Sequence, residues 1–245
     1  MTIMIETKKL LSLIDLTSLN ATDSHASINL LIEKANKSYK GAYPASVCTY
    51  LKYGHLLKKR LESKIKSCVV STYFPSSQSP LELKLQEIEY LESMKIDEID
   101  IVLSIGEFLD GNDDYVLKEL SAIRKASSKT LKLIIESGTL EEHDLIEKAT
   151  RFGLETGMNF IKTSTGTSLT GATPEAVKVI AETIRRFFSR SEITCGLKIA
   201  GGIKSREEAT KYIELTQDIL GPSFVNPNTF RFGASSLYGN LISEK

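Results

Sequence analysis

The chain has 245 residues, 41% hydrophobic and 25% charged, an ordinary globular composition at a length that suits one closed α/β barrel. A chain of this size buries a core without disulfides or structural metal. Lysine plus arginine and aspartate plus glutamate both number 31, so no net field draws nucleic acid or an anionic membrane, and anion recognition must be local.

Short β-rich runs alternate with longer amphipathic ones from end to end. The first strand is predicted at Leu11–Leu16, the second at Ser46–Tyr50 and the third at Ser67–Tyr73. A one-faced helix follows between Ser79 and Lys95, where Leu81, Leu85, Ile88, Leu91 and Met94 recur every three or four residues. Ser79-Pro80 reads as its N-cap and first helical position. Strands four and five are expected at Glu98–Ser104 and Leu131–Glu136, both nearly continuous apolar runs, as in strands covered on both faces. A helix over Leu140–Phe152 leads to strand six at Asn159–Thr163. Thr173-Pro174-Glu175 then starts the helix that carries Ala176, Val177, Val179, Ile180 and Ile184. Strand seven is placed at Gly196–Ala200, a helix at Ser205–Leu215, and strand eight at Thr229–Gly233. No linker or composition break divides residues 1–245, so eight alternations point to one (β/α)₈ TIM barrel. An open doubly wound sheet has the same periodicity and stays open on this ground alone.

Cys48, Cys68 and Cys195 are widely spaced, with no CxxC pair or His/Cys cluster, and suggest neither a zinc site nor a disulfide framework. They are read as reduced thiols of a cytoplasmic protein. Met1 to Leu13 has no signal-peptide h-region or cleavage site. No stretch approaches the roughly 18 apolar residues of a membrane span.

A barrel carries its chemistry at the C-terminal ends of its strands. Lys162 and Lys198 each follow an apolar residue on adjacent predicted strands, which lie about 4.8 Å apart. Mutual repulsion and burial are both expected to push a lysine pKa below its ordinary value. A lysine that is neutral near pH 7 attacks a carbonyl and forms a Schiff base, an electron sink for chemistry at the neighbouring carbon. Asp100 on strand four is the expected proton shuttle, and Asp15 either orients a lysine or caps a loop. Asp97 and Glu98 are assigned to the strand entrance.

Gly201 and Gly202 after strand seven, and Gly233, Ser235 and Ser236 where the last helix begins, read as a phosphate cradle. Free backbone N–H groups and a helix N-terminus attract anions there. Thr165 and Gly166 add donors from the loop after strand six. His25, His55 and His143 fall away from strand ends and are read as bystanders. Cys48 ends strand two near the mouth without a histidine partner, a packed thiol open to reactive aldehydes.

At these residues the sequence resembles the deoxyribose-phosphate aldolase family along nearly its whole length. The most specific segments are Phe160-Ile161-Lys162-Thr163-Ser164-Thr165-Gly166, Lys198-Ile199-Ala200-Gly201-Gly202-Ile203 and Arg231-Phe232-Gly233-Ala234-Ser235-Ser236. The resemblance implies reversible cleavage of 2-deoxy-D-ribose 5-phosphate to acetaldehyde and D-glyceraldehyde 3-phosphate, in deoxyribonucleotide catabolism, without a metal or cofactor, by a homodimer. It makes Lys162 the Schiff-base lysine, assisted by Lys198, Asp100 with a water, and Asp15. It gives the phosphate to Gly201, Gly202, Ser235 and Ser236. Three departures stand out. Ile199 is bulkier than the residue usual there and is expected to tighten its loop. Thr167 replaces a common lysine or aromatic. The end, Leu241 to Lys245, lacks the terminal tyrosine that some members use. A transaldolase, a sugar-phosphate isomerase or a non-catalytic sugar-phosphate sensor is the competing reading.

Overall fold

The computed structural model describes residues 5–244; Met1 to Met4 and Lys245, the extremes of the terminal readings above, lie outside it. Eight parallel strands close on themselves in sequence order, each hydrogen-bonded to the next and β1 to β8. They are β1 (Ile14–Thr17), β2 (Ser46–Tyr50), β3 (Lys66–Val70), β4 (Glu98–Val102), β5 (Thr130–Ile134), β6 (Phe160–Lys162), β7 (Gly196–Ala200) and β8 (Phe230–Ala234). Closure removes every sheet edge and settles the choice against an open sheet. No described helix is long and apolar enough to cross a membrane.

The predicted elements are present, and their boundaries move for local reasons. Leu11 lies in a first helix, Thr7–Ser12, rather than opening β1, and is buried there beside Leu10. The helix expected from Ser79 spans Leu81–Ser93, with Pro80 in extended conformation at the N-cap and no side-chain cap. Thr173 caps Pro174–Ser191 by accepting from the Ala176 N–H, as its sequence signal predicts. Ser205 and Glu208 form a reciprocal capping box that starts Arg206–Leu220. The expected Leu140–Phe152 helix divides into Ser137–Leu140 and His143–Glu155.

Alternation along the strands sorts the side chains. Leu16, Val47, Val69, Ile99, Leu133, Ile161, Leu197, Ile199 and Phe232 join the large apolar core shared with the helices. The alternate positions face the lumen and include seven charged residues, Asp15, Glu98, Asp100, Lys132, Lys162, Lys198 and Arg231, all buried. A polar lumen inside an apolar jacket is the feature of this barrel that bears on function.

Candidate active site

Lys162 and Lys198 are register partners on β6 and β7, and both donate to one oxygen, Asp100 Oδ2, at 2.8 and 2.7 Å. Lys198 also reaches Asp15 Oδ2 at 2.7 Å. The sequence placed these four residues near one another, and the structure brings them into direct contact. Lys162 is 2% exposed and lines the floor of a cleft of about 290 Å³ at the C-terminal mouth.

Below them lies a layer that sequence reasoning misjudged or missed. Glu98 is at the strand entrance, as expected, but points inward: it pairs with Lys132 at 2.5 Å and with Arg231 at 3.0 Å. Asp97, by contrast, does stay outside, on Lys58 and the Ser67 backbone. Lys132 further bonds Asp15 at 2.8 Å, and Arg231 bonds the other Asp15 oxygen at 2.5 Å. The Phe160 ring closes the lumen under the Lys132 ammonium and the Arg231 guanidinium, at 5.9 and 5.8 Å from its centroid. Lys132 was legible after all. It is the single charge in Leu131-Lys132-Leu133-Ile134-Ile135, and strand alternation places it on the same face as Asp100, its register partner.

The electrostatics follow from these pairings. Burial works against the Asp100 carboxylate, yet Lys162, Lys198 and Lys132 outweigh it and hold its pKa far below the ordinary carboxylate range. Asp15 is held low in the same way by Lys132, Lys198 and Arg231. Burial likewise opposes charge on Lys198, but Asp100 and Asp15 prevail and raise its pKa. This corrects the expectation that Lys198 would be pushed down by its lysine neighbour: the two carboxylates lie closer than the sequence could show.

The rim is built from loops. Thr17, Ser18, Asn20, Thr165, Gly166, Thr167, Gly201, Gly202, Lys204, Gly233, Ser235 and Ser236 all line the cleft. Gly201 and Gly202 take φ near +90°, a conformation that favours glycine. A Cβ on Gly201 would also fall 2.7 Å from the Gly171 Cα, so these two loops meet through bare backbone. Ser235 caps the final helix, Ser236–Ser243, and makes no side-chain cap bond. Ser104 and the Ser76–Pro80 loop line a roomier cleft of about 560 Å³, but Lys162 does not reach it.

Two predicted rim residues differ from expectation in detail. Thr165 faces the cleft, yet its backbone N–H and hydroxyl are held by Glu136, a buried residue in left-handed conformation after β5. Ile199 points away from the mouth into the apolar core, so it does not tighten the loop. Thr167 bonds the Thr165 hydroxyl at 2.8 Å. Cys48 is buried in the lumen, its Sγ 3.9 Å from Asp100 Oδ2. His25, His55 and His143 are exposed and away from the cleft.

Known proteins resemble this chain over most of its length. Residues 9–236 match the model of the DeoC/LacD family of aldolases. Among solved structures, an aldolase named QR15 is 27% identical, with 94% of this chain and 92% of that one covered at a TM-score of 0.78. A Toxoplasma gondii protein provisionally described as a deoxyribose-phosphate aldolase has 22% identity, coverage of 96% and 92%, and a TM-score of 0.88. The deoxyribose phosphate aldolase of Aeropyrum pernix, described as tetrameric, has 24% identity, coverage of 97% and 92%, and a TM-score of 0.76. At these last two identities the likeness concerns the fold.

Proposed function

The chain belongs to the DeoC/LacD family of aldolases, and from that premise we propose that it cleaves 2-deoxy-D-ribose 5-phosphate reversibly through a Schiff base on Lys162. The observation that carries this reading is the shared bond of Lys162 and Lys198 to Asp100 Oδ2 at the cleft floor.

Catalysis of this kind needs one neutral amine among buried charges. The lumen holds Lys132, Lys162, Lys198 and Arg231 against Asp15, Glu98 and Asp100. With four bases and three carboxylates, one lysine can be neutral while every carboxylate keeps a partner. Lys162 contacts a single carboxylate and lines the cleft, whereas Lys132 and Lys198 contact several and are fully buried.

The neutral Lys162 nitrogen adds to the substrate C1 aldehyde, and loss of water leaves the iminium. Removal of the C3 hydroxyl proton then breaks the C2–C3 bond and releases D-glyceraldehyde 3-phosphate. The electron pair is held as an enamine on the lysine. Protonation at C2 and hydrolysis give acetaldehyde and restore the amine. Asp100, held ionised, fixes both nitrogens and is a weak base in its own right. Lys198 carries the proton nearest the reacting carbon, and a water joins it to the substrate hydroxyl. Gly201, Gly202, Ser235 and Ser236 receive the phosphate at the start of the last helix, with Lys204 as a cation at the rim. The working unit we infer is a cytoplasmic homodimer, which sedimentation would test.

Borohydride reduction of the protein mixed with acetaldehyde, followed by peptide mapping, tests the reading. The expected result is an ethyl group on Lys162, absent from Lys162→Ala. No adduct in wild type, with sugar phosphate still bound, would replace the aldolase mechanism with a sensor or isomerase.

A further inference from the structure

Cys48 and Cys68 are twenty residues apart in sequence, which gives no sign of a pair. The barrel places them in register on β2 and β3, both buried and clustered within the lumen. Register partners on neighbouring strands lie about 4.8 Å apart, within the Cα separation that a disulfide spans. The two sulfurs and an Asp100 oxygen all lie within 4.8 Å of one another.

We propose that Cys48 and Cys68 are a dithiol modification site, converted by hydrogen peroxide into a reversible disulfide that disturbs Asp100 and so switches off Lys162. The disulfide itself does not depend on the reaction proposed above; its effect on turnover does.

The thiols lie behind the cleft floor, on the far side of Asp100 from Lys162. Asp100 Oδ2 is 2.8 Å from the Lys162 nitrogen and 3.9 Å from Cys48 Sγ. An oxidant the size of water that reaches Lys162 is one carboxylate away from Cys48. Cys48 lies by Asp100 Oδ2, the oxygen that Lys162 and Lys198 share at the cleft floor, whereas Cys68 lies by Oδ1 and Lys132. Cys48 is therefore the attacking sulfur and Cys68 the resolving one. The Cys48 thiolate takes one oxygen from hydrogen peroxide to give a sulfenic acid, and the other oxygen leaves as water. Cys68 then attacks that sulfur, the S–S bond forms, and the hydroxyl departs as a second water with the Cys68 proton. Two thiols lose two electrons, and one peroxide becomes two waters.

Crosslinking removes the Cys68 S–H that faces Asp100 Oδ1 at 3.2 Å and draws toward Cys48 the sulfur that accepts from Lys132 at 3.5 Å. Asp100 then has to find new partners among the ions around it. A cation held by the same donors would meet Lys132, Lys162 and Lys198, all within 3.4 Å of Asp100, so the pair suits oxidation better than metal. Cys195 is buried by itself at the edge of β7 and serves as an internal control.

The full chain is treated with hydrogen peroxide, quenched with an alkylating agent, and mapped by mass spectrometry without reduction. The expected product is a Cys48–Cys68 crosslink two hydrogens lighter than the dithiol, with Cys195 alkylated. Turnover should fall about a hundredfold, the usual share of a displaced acid–base group, and return with dithiothreitol. Cys68→Ser cannot crosslink, so whatever turnover it has should resist the same reversible loss. Three alkylated cysteines after treatment, or over-oxidation of Cys48 without the crosslink, would overturn the proposal. If the crosslink forms and turnover is unchanged, the switch fails while the aldolase reading stands. Should Cys68→Ser not fold, a glutathione redox titration of the wild-type crosslink decides the same question.

Discussion

A Cβ on Gly233 would stand 3.1 Å from the Cε of Lys198 and 3.0 Å from the Ala200 Cβ. Gly233 therefore clears the channel along which Lys198 reaches Asp100 and Asp15, in addition to any part it plays at the rim. Gly233→Ala should push the Lys198 stem aside. Overpacking of this kind costs about 1–3 kcal/mol of stability, and a misplaced catalytic group costs on the order of a hundredfold in turnover. Urea unfolding and steady-state kinetics would show both losses; an unchanged kcat would mean that Lys198 has room to spare.

Lys132 is a structural cation of the lumen, bonded to Asp15 and Glu98. Lys132→Met leaves those carboxylates short of a partner, and the expected destabilisation is about 3–5 kcal/mol. Lys132→Met combined with Glu98→Gln should recover part of that loss, since one stranded charge is removed with its partner. A denaturation double-mutant cycle that found the two effects additive would show that the pair is not coupled.

Stability should form a plateau bounded by two sets of charges. Asp15 and Asp100 have folded pKa values below their unfolded ones, so their contribution is present above about pH 4 and is lost as pH falls further toward the folded values. Lys132 and Lys198 are raised in the folded state. Their contribution is complete below about pH 10.4 and is lost as pH rises through the folded values. Urea midpoints measured across pH should therefore drop at both extremes, and Asp15→Asn should flatten the acid side.

Glu136 holds the loop after β6 through the Thr165 backbone and hydroxyl. Glu136→Ala should free that loop and weaken phosphate binding, since hydrogen bonds to a charged group contribute about 1.5–3 kcal/mol. The expected signature is a higher KM for 2-deoxyribose 5-phosphate with little change in KM for unphosphorylated 2-deoxyribose. Equal changes for both sugars would place the effect at Lys162 instead.

Much of the site could be read from residue order. Lys162, Lys198, Asp15 and Asp100 could be named because each is a charge beside apolar residues of a strand, and Lys162 ends its strand where a barrel opens. Glu98 and Lys132 were equally visible as charges in strands. They were passed over because a charged residue in a strand is as often an edge or an entrance as a buried partner. The lowered pKa expected for Lys198 failed for a related reason. Sequence shows that two lysines are neighbours, but the distance to each carboxylate depends on register and on how far each side chain reaches inward.

Alternation, helix caps and strand count are local properties, set by the backbone and by apolar periodicity. The sequence by itself therefore determined eight βα units with Lys162 at the C-terminal end of the sixth strand. Closure, the pairing of four cations with three carboxylates, the hold of Glu136 on Thr165 and the meeting of Cys48 with Cys68 were decided only by tertiary structure. Each joins residues far apart in the chain, and each depends on which strands and loops the closed barrel brings side by side.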